Sequence, residues 1–280
     1  MFKIDPIFKY RFMWFAGVVG LLGTLAYTVY SGDWMYWLAS YIYFRCLWFF
    51  TNNIGLHRYF AHRGYKTGPK RHKFLAWITV LAGVGSPFTW TIHHRHHHQY
   101  SDVFDENGYT KDIHSPNENK WASIFGTWAI QPLEWWTVEK QVRTVPKDLV
   151  KDPTVMFIHK WYYPMWSAIF VGSWLLVDWQ FTLFFVLQPI GWNLVHGALI
   201  NYFNHTKWPG SYRNYDSNDT TWNNVYIHMF LLGEGLHNNH HAQGWNYNQA
   251  HKPGEFDPAA WVIDHFFKVE DDRPGTKARS

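Results

Sequence analysis

The 280-residue sequence contains a single cysteine, Cys46. One cysteine per chain excludes an intramolecular disulfide, a cysteine-ligated zinc site and a cysteine-ligated iron–sulfur cluster. Charged residues are also scarce, at 16% of the sequence, and the net charge is only +4. This modest charge gives no reason to expect a nucleic-acid partner. The N-terminus lacks the short apolar core and small-residue cleavage site of a signal peptide, so we expect none.

Aromatic residues are abundant by contrast, at 21% of the sequence, with 19 Trp and 17 Tyr. This proportion is typical of a membrane-embedded protein with aromatic side chains at both lipid–water interfaces. The mean hydropathy of −0.31 averages apolar runs with long polar stretches rich in His and Asn. The length favours a single domain. We therefore expect one all-α integral membrane domain.

Apolar runs predict four transmembrane helices arranged as two hairpins. The first hairpin pairs residues 12–30 with residues 34–56, and the second pairs residues 162–177 with residues 181–205. The first run is free of charge throughout, and a helix of that length, rising about 1.5 Å per residue, can cross a bilayer. Pro189 predicts a kink in the fourth helix.

The rest of the chain is expected to form a helical cap, residues 57–161 and 206–270, followed by a tail, residues 271–280. Of the 25 Lys and Arg residues, only Arg45 lies inside a predicted span, and neither hairpin tip carries one. All the other cations lie on the side shared by the termini and the cap. The positive-inside rule therefore predicts a multi-pass membrane protein with the cap and both termini cytoplasmic.

Residues 74–92 are apolar enough to suggest a fifth span. A crossing there would place His62 and His94 on opposite sides of the membrane, so that the two could not share a site. Gly83 and Pro87 also interrupt the run. We therefore expect a helix and a turn on the cytoplasmic interface, with a true fifth span as the alternative.

Histidines recur at helical spacing. The stretch 91–102 contains five, and in a helix His94, His97 and His98 would project from one face. The stretch 233–241 repeats this i, i+3, i+4 spacing. A solvated histidine tract would account for 91–102 alone, but the repetition favours a metal site. The full set of clustered residues is His57, His62, His94, His97, His98, His205, His237, His240 and His241, with Asn201 one turn before His205.

Nine imidazoles exceed what one metal ion needs and suit two ions. A site built from nitrogen without thiolates favours iron, copper, zinc or nickel. The i, i+3, i+4 spacing allows one helix to serve both ions. Soluble di-iron bundles use paired Glu-x-x-His motifs with bridging carboxylates, whereas only Glu234 and His237 have that spacing here. A carboxylate-bridged centre is therefore not expected.

The motifs HRYFAH, HRHHH, NYFNH and GEGLHNNHH, in this order, resemble those of the membrane fatty-acid desaturase family. The sequence is most similar to the acyl-CoA Δ9 (stearoyl-CoA-type) desaturases and their bacterial relatives, over about residues 45–245. The resemblance to the bacterial relatives implies a location in a bacterial inner membrane. The resemblance implies that the nine histidines bind two iron ions and that Asn201 holds a metal-bound water. It also implies that O2 and two electrons remove two hydrogens from adjacent methylenes of a long acyl chain, giving a cis double bond.

Two other functions remain open from the sequence. An acyl or alkane hydroxylase, or a decarboxylase that forms terminal alkenes, would use the same di-iron site. A membrane metal-binding or transport protein is the alternative of another class, although a transporter would place polar ligands at mid-membrane. The histidines lie beyond the span ends instead. An unactivated methylene offers no group for acid–base catalysis, which favours a metal-centred oxidant.

The sequence departs from the acyl-CoA branch at two places. Ile92-His93 replaces the Arg-Asp pair before the second histidine motif, and residues 126–136 lack the expected basic stretch. The acyl carrier is therefore open among CoA, acyl carrier protein, phospholipid and free acid. No dinucleotide loop or haem motif is present, so we expect a separate electron donor: a ferredoxin, a rubredoxin or a cytochrome b5 with its reductase. The cations from Arg58 to Lys73 could dock it, although an interfacial cation belt is the favoured interpretation.

Several other side chains have weaker predictions. His93 and His96 fall on other faces of their helix and suit supporting or surface roles. His196, inside the fourth span, suits a hydrogen-bonded core position or a tunnel wall. Glu234 is a candidate to orient a histidine, and Trp90 either lines an acyl tunnel or packs in the core. The isolated histidines are expected to be structural: His72, His114, His159, His228, His251 and His265.

Overall fold

The computed structural model describes residues 6–103, 112 and 145–269, and the structural statements below refer to these residues. The predicted tail, residues 126–136 and His114 lie outside them. The helices are α1 (Pro6–Ser31), α2 (Trp34–Trp48, continued by a π-helical segment Phe49–Ala61), α3 (Pro69–Ile78, continued by a 3-10 turn Thr79–Ala82), α4 (Pro87–Tyr100), α5 (Lys147–Val150), α6 (Pro153–Leu176), α7 (Trp179–Phe181, continued by a π-helical segment Thr182–Leu187), α8 (Gln188–Asn204), α9 (Val225–Phe230), α10 (His237–Ala242) and α11 (Pro258–Val262, continued by a π-helical segment Ile263–Phe267). Strands β1 (Ser211–Tyr212) and β2 (Asn223–Asn224) form an antiparallel pair.

Two helical stretches in the described part of the chain are long and apolar enough to cross a membrane, Phe12–Ser31 and Trp179–Asn204. They coincide with the first and fourth predicted spans. The second and third predicted spans also fall in long helices, α2 with its continuation and α6. These two helices do not reach the same hydropathy, because polar and aromatic residues such as Arg45 and Tyr163 interrupt their apolar runs.

Helix α1 lies directly against α8 because glycines remove the side chains at the crossing. A Cβ on Gly191 would lie 2.3 Å from the carbonyl oxygen of Gly17. A Cβ on Gly20 would lie 2.3 Å from the carbonyl carbon of Leu187. Close backbone approach at small residues is the usual basis of helix pairing in lipid, where dispersion contacts replace the hydrophobic effect.

Gln188 joins the same pair of helices to α2 through buried hydrogen bonds. Its side-chain amide donates to the hydroxyl of Thr24 on α1 at 3.0 Å. Its carbonyl oxygen accepts from the hydroxyl of Ser40 on α2. Such bonds stabilise helix pairing in lipid, since the alternative is an unsatisfied polar group in hydrocarbon.

The segment predicted as a helix and turn is a bent helix pair. The stretches Pro69–Ala82 and Pro87–Tyr100 meet at an angle of 80°, and together they are apolar enough for a broken span or a re-entrant loop, so the alternative of a further span stays open. Gly83 provides the left-handed backbone at the bend, with φ +73°, and the hydroxyl of Ser86 accepts from the N–H of Thr89 at 3.2 Å to begin α4. The bend turns the chain back, so the histidines of α4 lie beside those of the first histidine motif, HRYFAH.

Helix α6 holds this bend in place. The hydroxyl of Tyr162 accepts from the N–H of Gly85 at 2.9 Å. The indole N–H of Trp166 donates to the carbonyl of Val80 at 3.1 Å. Both aromatic side chains are buried. Helix α6, which contains the third predicted span, therefore fixes the position of the bend before α4.

Replacing Gly191 with Leu should separate α1 from α8 and lower the free energy of unfolding by about 1–3 kcal/mol, as overpacking usually does. Thermal unfolding of the detergent-solubilised protein, followed by circular dichroism, measures the effect. Gly172→Leu on α6 is the matched control, because its Cβ would meet no atom within 4 Å. Equal losses for the two variants would contradict the proposed basis of the α1–α8 contact.

Candidate metal centre

Nine histidine side chains converge in two adjacent groups. In each group, one nitrogen atom per residue lies within 4.8 Å of all the others. The first group, below called the five-histidine group, consists of His57, His62, His94, His98 and His240. The second, the four-histidine group, consists of His97, His205, His237 and His241. These are the nine residues singled out by their spacing. Asn201 lies on α8 one turn before His205 and is half-buried.

Helices α4 and α10 each contribute to both groups. His97 and His98 are neighbours in sequence and therefore project about 100° apart around α4. His98 points into the five-histidine group together with His94, whereas His97 points into the other. On α10, His240 and His241 divide in the same way. Two short helices are thus sufficient to connect the groups.

The nitrogen–nitrogen distances in the five-histidine group match those between ligands of one metal ion. Ligand atoms about 2.1 Å from a metal, at right angles to each other, lie about 3 Å apart. The Nε2–Nε2 distances are 2.7 Å for His62–His94, 2.9 Å for His57–His240, 2.9 Å for His98–His240 and 3.1 Å for His94–His98. A neutral imidazole carries one N–H, so hydrogen bonds among the rings cannot satisfy all these nitrogens.

The surroundings keep several of the imidazoles uncharged. Burial, and then the neighbouring imidazoles, lower the pKa values of His62, His94, His98 and His240 well below the usual value. Burial likewise lowers the pKa of His241 to about 4, although Asp219 opposes the shift. At neutral pH these five rings therefore have free lone pairs, as metal ligands require.

Four histidines are oriented by carboxylates at their Nδ1 atoms. The pairs are His57–Glu234 at 2.9 Å, His97–Asp112 at 2.7 Å, His205–Asp102 at 2.9 Å and His241–Asp219 at 2.8 Å. With Nδ1–H donating to a carboxylate, Nε2 is left as the acceptor that faces the group. Such pairs fix ring orientation and raise ligand basicity. Sequence reasoning identified Glu234 as such a candidate but missed the three aspartates.

Asp102 and Asp219 are held as anions by their hydrogen bonds. Burial alone would raise the pKa of Asp102, but the bonds from His205 and the backbone of Thr220 lower it to about 2. Burial acts in the same direction on Asp219, and the bonds from His241, Ser217 and Thr221 outweigh it, so its pKa lies far below the usual range. Both carboxylates are therefore ionised at neutral pH.

Arg58 connects the first histidine motif to the fourth. Its guanidinium is buried and donates to Asp257 at 2.6 Å and to the carbonyl of Tyr247 at 2.7 Å. It also lies 3.4 Å from one oxygen of Glu234, whose other oxygen accepts from His57. Arg58 is only 1% exposed and cannot contribute to a donor-docking surface, so that part of the sequence-based prediction is wrong.

The glycine pair around Glu234 allows the chain to turn into α10. A Cβ on Gly235 would lie 2.3 Å from the backbone nitrogen of His228. Gly233 has φ +112°, a conformation that other residues rarely adopt. The GEG sequence thus brings Glu234 to His57 and starts α10 at His237.

The remaining candidates lie around the two groups. Trp90 stacks on His94, with ring centroids 4.6 Å apart. His93 and His96 are buried, which excludes the surface role predicted for them. Among the described residues, neither ring nitrogen of His196 has a hydrogen-bond partner, so the predicted hydrogen-bonded core role is wrong. The isolated histidines within the described ranges form hydrogen bonds, as expected of structural residues: His72, His159, His228, His251 and His265.

Replacing Arg58 with Leu should leave Glu234 and Asp257 buried without their counter-charge. Breaking a buried ion pair in this way typically costs about 3–5 kcal/mol of stability, and thermal unfolding in detergent measures it. Arg63→Leu is the matched control, because its side chain is 70% exposed and its loss should change stability by less than about 0.5 kcal/mol. A loss for Arg58→Leu no larger than for Arg63→Leu would contradict this description of the cluster.

Comparison with known proteins agrees with this site. A sequence model of the family described as "Fatty acid desaturase" matches residues 32–253. The sn-1 stearoyl-lipid 9-desaturase of Anabaena variabilis is 31% identical over 189 residues, which cover 68% of this chain and 65% of the relative. The icosanoyl-CoA 5-desaturase of Limnanthes douglasii is 30% identical over 225 residues, covering 74% and 56%. The hex-5-enoyl-[acyl-carrier protein] acetylenase of Moorena producens (strain JHB) is 30% identical over 213 residues, covering 68% and 61%.

The chain therefore spans between about half and two thirds of the length of these relatives. The matched region contains all four histidine motifs and the helices that carry them. On this match, the chain belongs to the fatty acid desaturase family.

Proposed function

We propose that this protein is an O2-dependent fatty acyl desaturase that introduces a cis double bond, with Δ9 the expected position, into a long saturated acyl chain. The convergence of the nine motif histidines into two adjacent groups carries the proposal. The relatives' names support it, since they describe two desaturases and an acetylenase. The alternative of a hydroxylase or an alkene-forming decarboxylase on the same site is not favoured by these names.

In this proposal the five-histidine and four-histidine groups each hold one iron ion, and Asn201 holds a water at the four-histidine group. The donor set fits iron, because it consists of neutral imidazoles and no thiolate. Iron bound there, with O2, two electrons and two protons, supplies the oxidising power to remove two hydrogens from adjacent methylenes, with two waters formed. The protein's own contribution is to hold the rings through Asp102, Asp112, Asp219 and Glu234 and to shield them with Trp90.

We further propose that α2 and α6 cross the membrane together with the two more apolar helices, giving four spans in one domain. Both carry large apolar side chains on their outer faces, such as Met35 and Leu175, each 74% exposed. Water would disfavour such surfaces, whereas lipid would cover them. The cap, 57–161 and 206–270, and both termini would then be cytoplasmic.

Helix α3 is proposed to lie in the cytoplasmic interface. Its exposed apolar residues Phe74, Trp77 and Leu81 follow the spacing of one helical face. Exposed cations precede and begin the same helix: Arg63, Lys66, Lys70, Arg71 and Lys73. An apolar face flanked by cations is typical of a helix lying on an anionic membrane surface, which supports the interfacial cation belt.

The electrons are proposed to come from a separate protein of the ferredoxin, rubredoxin or cytochrome b5 type, because one cysteine leaves no iron–sulfur cluster in the chain. The relatives' names give three acyl carriers, a lipid, CoA and an acyl carrier protein, at nearly equal identity. The carrier for this chain is therefore to be found by assay with each of the three and with free acid.

Changing His97 or His240 to Ala should abolish the unsaturated product and lower the bound iron, because each ring belongs to one of the two groups. Iron is measured on the purified protein, and helix content by circular dichroism. His265→Ala is the control, since this exposed histidine bonds only to the carbonyl of Trp261 among the described residues. Full activity in either group variant would remove that residue from the proposed ligand set.

The four-span topology predicts that the tip between α1 and α2 faces away from the cytoplasm. In a Cys46→Ser background, a membrane-impermeant maleimide added to intact cells should label Ser31→Cys and should not label Lys70→Cys. Both positions are exposed, so accessibility does not bias the comparison. The reverse labelling pattern would overturn the orientation, and labelling at both positions would overturn the two-hairpin arrangement.

A further inference from the structure

The turn that leads into α10 has an unfavourable backbone. Leu232 has φ +51° and Gly233 has φ +112°, so two successive residues have positive φ. Leucine rarely adopts such a conformation, because its Cβ crowds the backbone there. Strained backbone of this kind persists only where the surrounding structure holds it, and it is concentrated at functional sites. The contacts around the turn therefore indicate what its position serves.

Four successive carbonyl oxygens of this turn, those of residues 232–235, each accept a hydrogen bond from another part of the chain. The donors lie on the π-helical continuation of α2, at the end of α8 and on β2, so the turn is held from three elements. Three of the donors are side-chain N–H groups and the fourth is a backbone N–H. The bonds are Asn53 to Leu232 at 2.9 Å, Arg58 to Gly233 at 3.3 Å, Asn204 to Glu234 at 2.9 Å and the backbone of Asn224 to Gly235 at 2.8 Å.

The two asparagine side chains make these bonds at positions where an amide is otherwise unfavourable. Asn53 is 1% exposed and Asn204 is 0% exposed. Among the described residues, the side-chain oxygen of each has no hydrogen-bond partner. An unpaired buried acceptor is destabilising, so an apolar side chain would suit either position if packing were the only requirement. What asparagine adds at both positions is an N–H donor to the turn.

The position of the turn determines where the carboxylate of Glu234 lies. One of its oxygens accepts from Nδ1 of His57 at 2.9 Å, and His57 belongs to the five-histidine group. Among the described residues, no member of the four-histidine group bonds to Glu234. A carboxylate partner fixes the ring of a ligand histidine and raises its basicity. A displaced Glu234 would therefore make His57 a weaker ligand.

Helix α10, which follows the turn, is held by different contacts. The side-chain oxygen of Asn238 accepts from the backbone N–H groups of Asn214 and Tyr215, both at 2.9 Å. The side-chain amide of Asn239 donates to the carbonyl of Gln249 at 2.8 Å. None of these bonds involves the turn or the two asparagines that hold it. The histidines of α10 should therefore keep their places when the turn is released.

We propose that Asn53 and Asn204 are positioning residues, which act through Glu234 to tighten metal binding at the five-histidine group but not at the four-histidine group. The inference rests on the proposed metal centre. Neither asparagine belongs to a histidine group. Asn204 directly precedes His205, a member of the four-histidine group, so a merely local disturbance by its replacement would weaken the opposite group from the one named here.

The test is Co²⁺ binding to the metal-free, full-length protein in detergent, followed by the visible absorption of the bound ion. Co²⁺ stands next to Fe²⁺ in the affinity order for nitrogen ligands. His97→Ala leaves the five-histidine group complete, and His240→Ala leaves the four-histidine group complete. In the His97→Ala background, adding Asn53→Ala or Asn204→Ala should weaken binding by roughly tenfold, the lower end of the usual loss when a partner of a ligand is removed. In the His240→Ala background, the same additions should leave the affinity unchanged.

Asn52→Ala is the matched control, because Asn52 is also buried but its amide donates only to the hydroxyl of Thr51 among the described residues. It should change neither affinity. Equal weakening in both backgrounds, or no weakening in the His97→Ala background, would overturn the proposal.

Thermal unfolding of the metal-free variants shows whether each one folds. Asn53 and Asn204 lie on different helices, so either variant can decide the question if the other fails to fold. If neither folds, the two asparagines are structural and the proposal is overturned. A wild-type protein that binds fewer than two Co²⁺ ions would contradict the metal centre itself, which is a different failure.

Discussion

Nine imidazole rings point toward two positions with one nitrogen each. Protonated rings would repel each other through their positive charges, and neutral rings repel each other through their lone pairs. The structure meets this constraint by burial, which keeps rings such as those of His94 and His240 uncharged, and by carboxylates that fix the opposite side of four rings. An ion at each point would turn the remaining repulsion into coordination. The bend before α4 and the turn into α10 both orient these rings toward the two positions.

The charges around the two groups are unequal in the described part of the chain. Three carboxylates, Asp102, Asp112 and Asp219, bond to histidines of the four-histidine group. The five-histidine group has Glu234, whose charge is shared with the buried Arg58. Arg58 thus both connects two histidine motifs and offsets negative charge on one side of the centre.

The sequence predicted best the features that depend only on residues close together in the chain. The division of His97 and His98 follows from helical rotation, and the two stretches that are apolar enough to cross a membrane follow from long runs without a charged residue. Asp112 and Asp219 were missed because no period links them to the histidines that they orient; only folding brings them together. Arg58 was read as a surface cation because its neighbours Arg63 and Lys66 are, whereas its acidic partner Asp257 lies 199 residues away in the chain.

A fatty-acid profile tests directly whether this centre desaturates an acyl chain. The chain is expressed with a ferredoxin and its reductase in an aerobic host that lacks such an enzyme, and the hydrolysed lipids are examined by gas chromatography and mass spectrometry after derivatisation of double bonds. A desaturase produces a new monounsaturated acid that disappears without O2 and in the His97→Ala variant. Hydroxylated acids or terminal alkenes in its place would contradict desaturation as the reaction of this centre.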